Sequence, residues 1–413
     1  MLDPNFIRIS PELVKKNIVE RGMDPKLVDE WLLVDSERRA LIHQIDGIRS
    51  LRKTSDPLIS EEAKSVARAE REKLAEVEKK LPEIQRHWLD LLNQIPNLHL
   101  PDVPIGKNDS GNVVLSKTSK NDAWLFTPKD HVQIALDHDL IDFERGAKVA
   151  SSQFYFLKNQ GVLLEFALIT FGLRFLMSKG FTPIQTPDLA KSRYYNGTGY
   201  IPRGDEAQTY EIKDEDLGLI ATAEIAMAGY HADEVFNEKD LPKKYIAFSH
   251  CFRKEAGSYG KYSKGLYRTH QFSKLEMFVY CTPEQSSAIH EELLHIEKEI
   301  LDLLGLPYRV LSICTGDLGA MAAKKYDVEA WMPGRNDYGE VTSTSNCLDY
   351  QARNLNIKYK NTEGKLNFVH MLNGTAMALS RLPIAILENN QQADGAIVIP
   401  DILKKYCPGM FEE

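Results

Sequence analysis

The strongest constraint on the fold is a heptad seam near the N-terminus of the chain. Between residues 60 and 95 the apolar side chains alternate three and four positions apart: Leu74, Val77, Leu81, Ile84, Trp88, Leu91 and Ile95. This spacing is typical of a helix that packs along one stripe against another helix. A partner helix is predicted over about residues 27–53, where Val34, Leu41, Ile45 and Ile48 keep a similar spacing.

The segment between these helices is short, so the helices must run antiparallel and form an arm. It reads SDPLIS over residues 55–60, where Asp56 and Pro57 predict a turn and Ser60 an N-cap. Pro82 lies inside the second helix and is expected to kink it, because proline removes a backbone hydrogen bond. On the pattern alone, the arm fits a dimerisation coiled coil or a spacer as well as a binding element.

The charge of the chain does not decide whether it binds nucleic acid. The net charge is −8, which argues mildly against a polyanionic partner. Local charge controls such contacts, however, because salt screens charges beyond about 10 Å. The first arm helix carries Arg38, Arg39, Arg49, Arg52 and Lys53, although such runs are also typical of a solvated helix face.

Prolines after the arm predict a boundary between two domains. Pro96 and the segment 101–104 are typical of a linker, so we place the first domain at residues 1–105 and the second at 106–413. In the second domain, helices are predicted over 161–179 and 286–304. Strands are predicted over 245–250, 276–281, 308–313 and 367–371. This order favours an α+β fold with a mostly antiparallel sheet over a doubly wound one.

The sequence lacks several common cofactor and membrane signatures. It contains no GxxxxGK[ST] phosphate loop, and the GTG at 197–199 lacks the later glycine of a dinucleotide site. Glu165 and Arg174 interrupt the longest apolar run, so no membrane span is expected. The N-terminus does not resemble a signal peptide, and the five cysteines are widely spaced. We therefore expect a cytoplasmic protein without structural zinc.

The most informative segment reads as two strands joined by a glycine-rich loop, over residues 252–276. Arg253 and Glu255 are two positions apart, so both side chains face the same side of a strand. Phe272, Lys274 and Glu276 share a face of the returning strand in the same way. Such a face could hold a heterocycle, a phosphate and an amine together. A surface hairpin with cross-strand ion pairs would show the same spacing.

This segment resembles motif 2 of the class II aminoacyl-tRNA synthetases, in the form found in the seryl family. The match is carried by FRKEAGS at 252–258 and GLYRTHQFSKLE at 265–276. Motif 3 is similar to LNGTA at 372–376, followed by Arg381 and LENNQQADG at 387–395.

Further segments extend the resemblance over nearly the whole chain, including the arm. Motif 1 is similar to GFTP at 180–183 with the following TP at 186–187. Three other segments also match: GTGYIPRG at 197–204, ATAE at 221–224 and YGEVTSTSNCLDYQAR at 338–353.

The resemblance implies a fold, a reaction and partners. The fold would be a class II synthetase-like antiparallel sheet flanked by helices, with the arm binding tRNA and motif 1 helping to form a homodimer. The serine carboxylate would attack the α-phosphate of ATP to give seryl-adenylate and pyrophosphate. The seryl group would then pass to the 3′ end of serine tRNA, and selenocysteine tRNA is a further expected acceptor. Mg²⁺ would be required, and no membrane is expected as a partner.

The ATP site is assigned from the same resemblance. Arg253 and Arg381 are the expected catalytic residues, with Arg253 on the α-phosphate and the serine carboxylate. Phe272 and Arg381 would enclose the adenine, and Glu255 would accept a hydrogen bond from its amine. The complete expected set is Arg253, Lys254, Glu255, Thr269, Phe272, Glu340, Val341, Thr342, Ser343 and Arg381. Glu340 and Ser343 would hold Mg²⁺, which prefers oxygen ligands.

The serine site is assigned to Thr222, Ala223, Glu224, Glu276 and Thr375. Glu276 and Thr375 are the expected partners of the substrate hydroxyl, while Thr222 and Glu224 would take the ammonium group. A site built to bond the hydroxyl rejects alanine, because alanine leaves its buried polar groups unpaired. Rejecting threonine requires a steric clash instead. The alternative for Thr222 is a bond to a backbone carbonyl, and Cys347 fits a small buried apolar residue.

The chain departs from the family pattern at several positions. The arm is shorter than usual and its tip lacks the basic NKLSKxIG-like stretch, which bears on tRNA selectivity. Gly339 stands where arginine is usual, Thr269 where valine is usual, and Leu379-Ser380 where glycine commonly precedes Arg381.

Two alternatives to an active seryl-tRNA synthetase remain on sequence grounds. A ligase that charges a carrier protein would lack the arm. A non-catalytic RNA-binding paralogue would need lesions at Arg253, Glu255, Glu276 or Arg381, and all four residues are present.

Overall fold

The computed structural model describes residues 1–54, 61–119, 124–200, 209–255 and 265–411. The predicted turn at 55–60 with its N-cap Ser60 lies outside these ranges, as do residues 201–204 and 256–258 of the matched segments. The chain divides into two compact units, Met1–Leu98 and His99–Glu413. The boundary therefore falls before the predicted one at residue 105.

The segment 99–105 belongs to the second unit because its apolar side chains pack there. Leu100 and Val103 join a cluster with Leu311 and Ile313, and the Leu100 amide donates to the Ala323 carbonyl at 2.9 Å. The prolines thus mark a segment that packs on the second unit instead of a free linker.

The first unit is helical, and its two long helices form the predicted antiparallel hairpin. Its helices are α1 (Pro4–Ile9), α2 (Pro11–Glu20), α3 (Lys26–Thr54) and α4 (Glu61–Gln94). Ile45, Ile48, Leu74 and Val77 form the buried seam between α3 and α4. Helix α4 continues through Pro82, where a kink is predicted, as one element.

A buried carboxylate fixes the base of the hairpin. Asp35 on α3 is 2% exposed and accepts a hydrogen bond from Trp88 Nε1 on α4 at 2.9 Å. Arg8 on α1 pairs with the same carboxylate at 2.7 Å. The guanidinium of Arg38 lies 4.4 Å from the Trp88 ring centroid, where cation–π attraction adds to the packing. The hairpin base is therefore held by charge as well as by the apolar seam.

The second unit is built around a large sheet. Its strands in the described ranges are β1 (Val113–Lys117), β2 (Ile141–Asp142), β3 (Phe156–Leu157), β4 (Thr182–Gln185), β5 (Leu189–Ala190), β6 (Tyr210–Glu211), β7 (Gly218–Leu219), β8 (Val235–Asn237), β9 (Lys243–Phe252), β10 (Gln271–Cys281), β11 (Tyr308–Ser312), β12 (Lys324–Met332), β13 (Asp337–Asn346), β14 (Lys358–Lys360), β15 (Leu366–Phe368) and β16 (His370–Ala378). Its helices are α5 (His131–Asp137), α6 (Phe143–Val149), α7 (Gln160–Ser178), α8 (Ser192–Thr198), α9 (Ala223–Tyr230), α10 (Pro283–Leu303), α11 (Tyr350–Leu355), α12 (Leu382–Asn389) and α13 (Asp401–Lys404).

The main sheet confirms the predicted α+β class. Within the described ranges it has eight strands in the order β1-β11-β12-β13-β16-β10-β9-β4. Every neighbouring pair is antiparallel except β4 and β9, which are parallel. The strand predicted at 367–371 is in fact two strands, because the chain leaves β14 after Phe368 and pairs with β10 from His370 onward.

Helices α7 and α10 cover one face of this sheet. Leu164, Leu168 and Phe171 of α7 are buried in the main core. A Cβ added at Gly172 would come within 2.5 Å of Leu275 Cδ1, so glycine permits this close approach of helix to strand. Helix α7 is also long and apolar enough to cross a membrane by length and composition, and 39% of its apolar stretch is buried inside the protein.

A β-bulge in β13 determines which of its side chains share a face. Val328 of β12 pairs with Thr342, whereas the next residue, Glu329, pairs with Glu340. Val341 is therefore the extra residue of a bulge, which shifts the alternation of the strand by one. As a result Glu340 and Ser343, three positions apart, point to the same side of the sheet.

A second bulge has the same effect in β16. Leu275 of β10 pairs with Met377, and the next residue, Glu276, pairs with Thr375. Ala376 is the extra residue, so Thr375 lies beside Glu276 on the same face.

Candidate active site

The face that carries Glu276, Thr375, Glu340 and Ser343 lines a cavity of about 480 Å³. Most of the predicted site residues line this one cavity. They are Glu224, Arg253, Glu255, Thr269, Phe272, Glu276, Glu340, Val341, Thr342, Ser343, Thr375 and Arg381.

Three predicted site residues do not line the cavity, and each has another position. Thr222 is the N-cap of α9, and its buried hydroxyl accepts a hydrogen bond from the Glu224 amide at 3.3 Å. The hydroxyl thus bonds a backbone amide as an acceptor, whereas the alternative expected it to bond a backbone carbonyl. Ala223 is fully buried at the start of the same helix. The Lys254 ammonium lies 5.9 Å from the ring centroid of Tyr210.

One end of the cavity is cationic and surrounds the ionised carboxylate of Glu340. Arg381 Nη1 donates to Glu340 Oε2 at 2.8 Å and to the Glu340 carbonyl at 3.2 Å. Burial alone would raise the pKa of Glu340, but Arg381, Lys325 and Arg253 outweigh it and hold that pKa at about 2. Glu340 is therefore charged at neutral pH, and it also orients Arg381.

Arg253 and Glu255 follow the end of β9 at Phe252, so they do not share a strand face as predicted, and neighbouring groups hold them in place. Arg253 Nε donates to the Ala221 carbonyl at 3.3 Å, and its guanidinium lies 5.3 Å from the Phe272 ring centroid. Glu255 accepts a hydrogen bond from Arg268 Nη1 at 3.0 Å and has a positive φ of 48°. A left-handed conformation is costly for glutamate, and such conformations concentrate at functional sites.

The other end of the cavity is acidic and buried. Glu276 forms a close ion pair with Lys274, and both side chains are at most 6% exposed. Thr375 Oγ1 donates to Glu276 Oε2 at 3.2 Å, across the two strands that the bulge aligns. These groups form a small hydrogen-bonding network that could receive one polar substituent.

Glu224 is the second carboxylate of this acidic end. It accepts hydrogen bonds from Gln351 at 2.7 Å, Asn373 at 2.9 Å and Tyr200 at 3.0 Å. Burial and, secondarily, repulsion from Glu276 raise the pKa of Glu224 to about 7. The carboxyl is therefore poised near neutral pH and would gain from a nearby cation.

Several lining residues are absent from the sequence-based set. They include Tyr200, Tyr267, Arg268, Lys274, Lys325 and Asn373. Lys274 could have been found, because it alternates with Phe272 and Glu276 on one strand face. Tyr200 lies in the matched segment 197–204 and Lys325 lies in β12, and no spacing pattern links either side chain to the other lining residues.

The described part of the cavity offers a few oxygen ligands for a metal ion, but no cluster of three or more metal-binding side chains. Over the described ranges no three His, Cys, Asp or Glu side chains converge as a metal site. Glu340 and Ser343 nevertheless present oxygen atoms from one strand face, and the low pKa keeps Glu340 ionised. This donor set fits Mg²⁺, which takes few protein oxygens and keeps several waters.

Comparison with known families assigns the class of the protein. The profile of the tRNA synthetase class II core domain (G, H, P, S and T) matches residues 209–390, which include most of the cavity lining. The profile of the seryl-tRNA synthetase N-terminal domain matches residues 1–99, which include the helical hairpin. The fold and site are therefore those of a class II aminoacyl-tRNA synthetase.

Full-length relatives define the family more narrowly. The serine–tRNA ligase of Dictyoglomus turgidum is 50% identical over 415 residues, with 98% of each chain covered. That of Treponema denticola is 50% identical over 417 residues, with 98% of this chain and 99% of the relative covered. The chain belongs to the seryl-tRNA synthetase family and is an aminoacyl-tRNA ligase.

Solved structures agree with this assignment over the whole chain. Seryl-tRNA synthetase from Pyrococcus horikoshii, complexed with ATP, superposes with a TM-score of 0.90 at 41% identity and covers 98% of each chain. The cytoplasmic serine–tRNA ligase from Naegleria fowleri, in complex with AMP, gives a TM-score of 0.86 at 33% identity, covering 98% of this chain and 97% of that one.

Proposed function

We propose that the chain activates serine with ATP and transfers the seryl group to the 3′ end of serine tRNA, with selenocysteine tRNA as a further acceptor. The observation that carries this proposal is the division of one cavity into a cationic end with Arg253 and Arg381 and an acidic end with Glu224 and Glu276. A triphosphate suits the first end and an amino acid ammonium suits the second. The serine carboxylate would then meet the α-phosphate between them.

The first step needs no nucleophile from the protein. A serine carboxylate oxygen attacks the α-phosphorus, and the bond from that phosphorus to the β-phosphate oxygen breaks, so pyrophosphate leaves. Catalysis then consists of alignment and of neutralising charge at the α-phosphate. The forked guanidinium of Arg253 suits both the phosphate and the carboxylate better than a lysine would.

The nucleotide would be held by rings, cations and one oxygen-rich edge of the cavity. Adenine would lie between Phe272 and Arg381, with its amine donating to Glu255. Glu340 and Ser343 would hold Mg²⁺, which would supply further positive charge to the phosphates when bound. Lys254 lies outside the cavity lining, so its part in ATP binding would be limited to contacts at the rim.

Serine would be recognised by the acidic end. Its ammonium would lie against Glu224, and its hydroxyl would join the network of Glu276, Thr375 and Lys274. Alanine would leave those buried groups unpaired, which costs more than a missing favourable contact. Thr222 and Ala223 would act indirectly, because they form the start of the helix that carries Glu224.

The decisive experiment is pyrophosphate exchange with the purified chain, ATP and single amino acids, in the absence of RNA. We expect exchange with serine and little with alanine or threonine. Arg253→Ala should lower the rate roughly hundredfold or more, as expected when a donor that stabilises developing charge is removed. Arg353→Ala is the control, because Arg353 does not line the cavity.

The alternatives predict other results in the same experiment. Exchange with glycine or alanine but not serine would indicate a carrier-protein ligase. Retained RNA binding without exchange would indicate a non-catalytic paralogue. An unchanged rate in Arg253→Ala would remove Arg253 from the mechanism.

The pKa of Glu224 predicts how serine binding depends on pH. The serine ammonium binds the ionised carboxylate, and the pKa of free Glu224 is raised to about 7 by burial and then by Glu276. Below pH 7 the carboxyl must first lose a proton, so KM for serine should rise about tenfold per pH unit as pH falls. Above pH 8 the KM for serine should level off.

Glu224→Gln should have a high KM for serine that does not vary with pH. The KM for ATP in the unchanged chain serves as the internal control. A flat KM for serine between pH 6 and 8 would contradict this assignment.

We also propose that the helical hairpin binds the tRNA. Its outer surface carries several arginines, and helical RNA is recognised through its shape and backbone, not its base edges. The short arm would reduce the number of phosphate contacts and therefore the selectivity for serine tRNA.

Shortening the arm should separate the two steps of the reaction. Residues 40–85 would be replaced with a short Gly/Ser linker, which keeps Trp31 and Trp88 at the base of the hairpin. Serine-dependent exchange should be unchanged, whereas tRNA charging should fall roughly tenfold or more as backbone contacts are lost. Arg38, Asp35 and Trp88 remain in this variant, so a melting curve checks that the base is intact. Equal loss of both activities would contradict a binding role for the arm.

We further propose a cytoplasmic homodimer that buries the outer face of α7 and the edge strand β4. Phe166 and Leu163 on α7 are 62% and 40% exposed, and β4 is mostly exposed at the edge of the sheet. Contiguous exposed apolar side chains of this kind mark interfaces. A cytoplasmic location is supported by the five cysteines, which are all free thiols in the structure.

Charge placed on the outer face of α7 should dissociate the dimer. Phe166→Asp should sediment as a monomer at concentrations where the unchanged chain is a dimer, because an unpaired charge would be buried in the interface. Leu303→Asp, on α10, changes an apolar residue that is also 40% exposed and should stay dimeric. A dimer that survives Phe166→Asp would place the interface elsewhere.

A further inference from the structure

Two arginines contact the same tyrosine ring at the border of the active site. The guanidinium carbons of Arg381 and Arg335 each lie 4.7 Å from the ring centroid of Tyr267. Arg381 and Tyr267 line the active-site cavity, but Arg335 does not. Arg335 instead lines a neighbouring cavity of about 450 Å³, which shares Tyr267 with the first. Tyr267 therefore separates an arginine of the active site from an arginine outside it.

Arg335 occupies space that a side chain at position 339 would need. A Cβ built on Gly339 would come within 3.0 Å of Arg335 Nη1 and within 3.0 Å of the Met332 side chain. Arg335 Nη2 also donates to the Tyr338 carbonyl at 3.3 Å. Gly339 has no positive φ, so its backbone does not demand glycine, and the absence of a side chain serves the arginine.

The position of the Arg335 guanidinium matters because the ring that it contacts also contacts Arg381. Within the described ranges Arg381 donates through Nη1 to Glu340, and its Nε donates to the Tyr267 carbonyl at 3.4 Å. Tyr267 thus contacts Arg381 through both its backbone and its ring. A shift of the Tyr267 ring would remove this ring contact from the Arg381 guanidinium.

We propose that Arg335 is a positioning residue of the ATP site. It holds the Tyr267 ring against Arg381, and Gly339 provides the space for its guanidinium. The positive charge that the family pattern places at position 339 is thereby supplied from position 335. This proposal rests on the proposed function, since it assigns Arg381 to the adenine of ATP.

The first test compares Arg335→Ala with the unchanged chain in serine-dependent pyrophosphate exchange. KM for ATP should rise about tenfold, as expected for the loss of a partly buried cation–π contact that acts through Tyr267. KM for serine should change less than about twofold, because the acidic end of the cavity is untouched. The matched control is Arg353→Ala, whose guanidinium also lies 4.7 Å from an aromatic ring, that of Phe368, but away from the cavity lining. It should leave KM for ATP unchanged.

The second test moves the arginine. Gly339→Arg alone should raise KM for ATP, because two guanidinium groups would compete for one space. Arg335→Ala combined with Gly339→Arg should recover KM for ATP to within about threefold of the unchanged chain. Melting curves for each variant identify any that do not fold. If the alanine variant is unfolded, Arg335→Lys replaces it and should raise KM for ATP about threefold, since lysine lacks the planar fork.

Three results would overturn the proposal. They are an equal KM for ATP in the Arg335 and Arg353 variants, an equal rise of KM for ATP and for serine, and a folded double variant no better than Arg335→Ala. A lack of serine-dependent exchange in the unchanged chain would instead overturn the proposed function, so the two failures are distinguishable.

Discussion

Two single-residue bulges in neighbouring strands determine which side chains reach the active site. Val341 is the extra residue of β13, and Ala376 is the extra residue of β16. If β16 had no bulge, Glu276 would pair with Ala376, and Thr375 would point to the opposite side of the sheet from Glu276, because side chains alternate along a strand. If β13 had no bulge at Val341, Glu340 and Ser343 would be three positions apart in a regular strand and would likewise face opposite sides. The acidic end and the expected metal ligands thus depend on the same device.

The cavity also tunes two buried carboxylates in opposite directions. Glu340 is surrounded by arginines and a lysine, which hold its pKa at about 2 despite burial. Glu224 has neutral hydrogen-bond donors and a neighbouring carboxylate, so burial raises its pKa to about 7. The first carboxylate stays charged and orients Arg381. The second is only partly charged at neutral pH and would be more fully ionised by a nearby cation, as expected of a group that receives the substrate ammonium.

The sequence predicted those features that follow from the regular spacing of side chains along a single helix or strand. The heptad seam identified the antiparallel hairpin, and the alternation in 252–276 placed Phe272, Lys274 and Glu276 on one strand face. The pairing of Glu340 with Ser343 could not be predicted from spacing, since residues three apart face opposite sides of a regular strand. It came from the family resemblance, and the bulge at Val341 supplies the physical reason.

Residues that distant segments contribute to the cavity could not be predicted from such spacing. Tyr200 and Lys325 reach the cavity only through the tertiary fold. Thr222 was assigned to the substrate because its segment resembles the family, whereas local geometry uses its hydroxyl as a helix cap. A threonine that precedes a helix has this second role available, and threonine is a favoured N-cap residue. Sequence resemblance thus located the segment, but only the structure separated the lining residues from their supports.

The structural effect of each departure from the family pattern depends on which atoms occupy the space around the substituted residue. Ser380 replaces the common glycine, yet it lines the cavity and is only 4% exposed. The preceding Leu379 is buried, and its amide donates to the Ser273 carbonyl at 2.9 Å, while the Arg381 amide bonds the Ala378 carbonyl at 3.1 Å. The backbone around Arg381 is therefore fixed despite both changes. Gly339 follows the same logic, because the volume that it leaves is filled by a guanidinium from another residue. A missing side chain in a dense interior is compensated by its neighbours or leaves a cavity, and here the neighbour carries the charge.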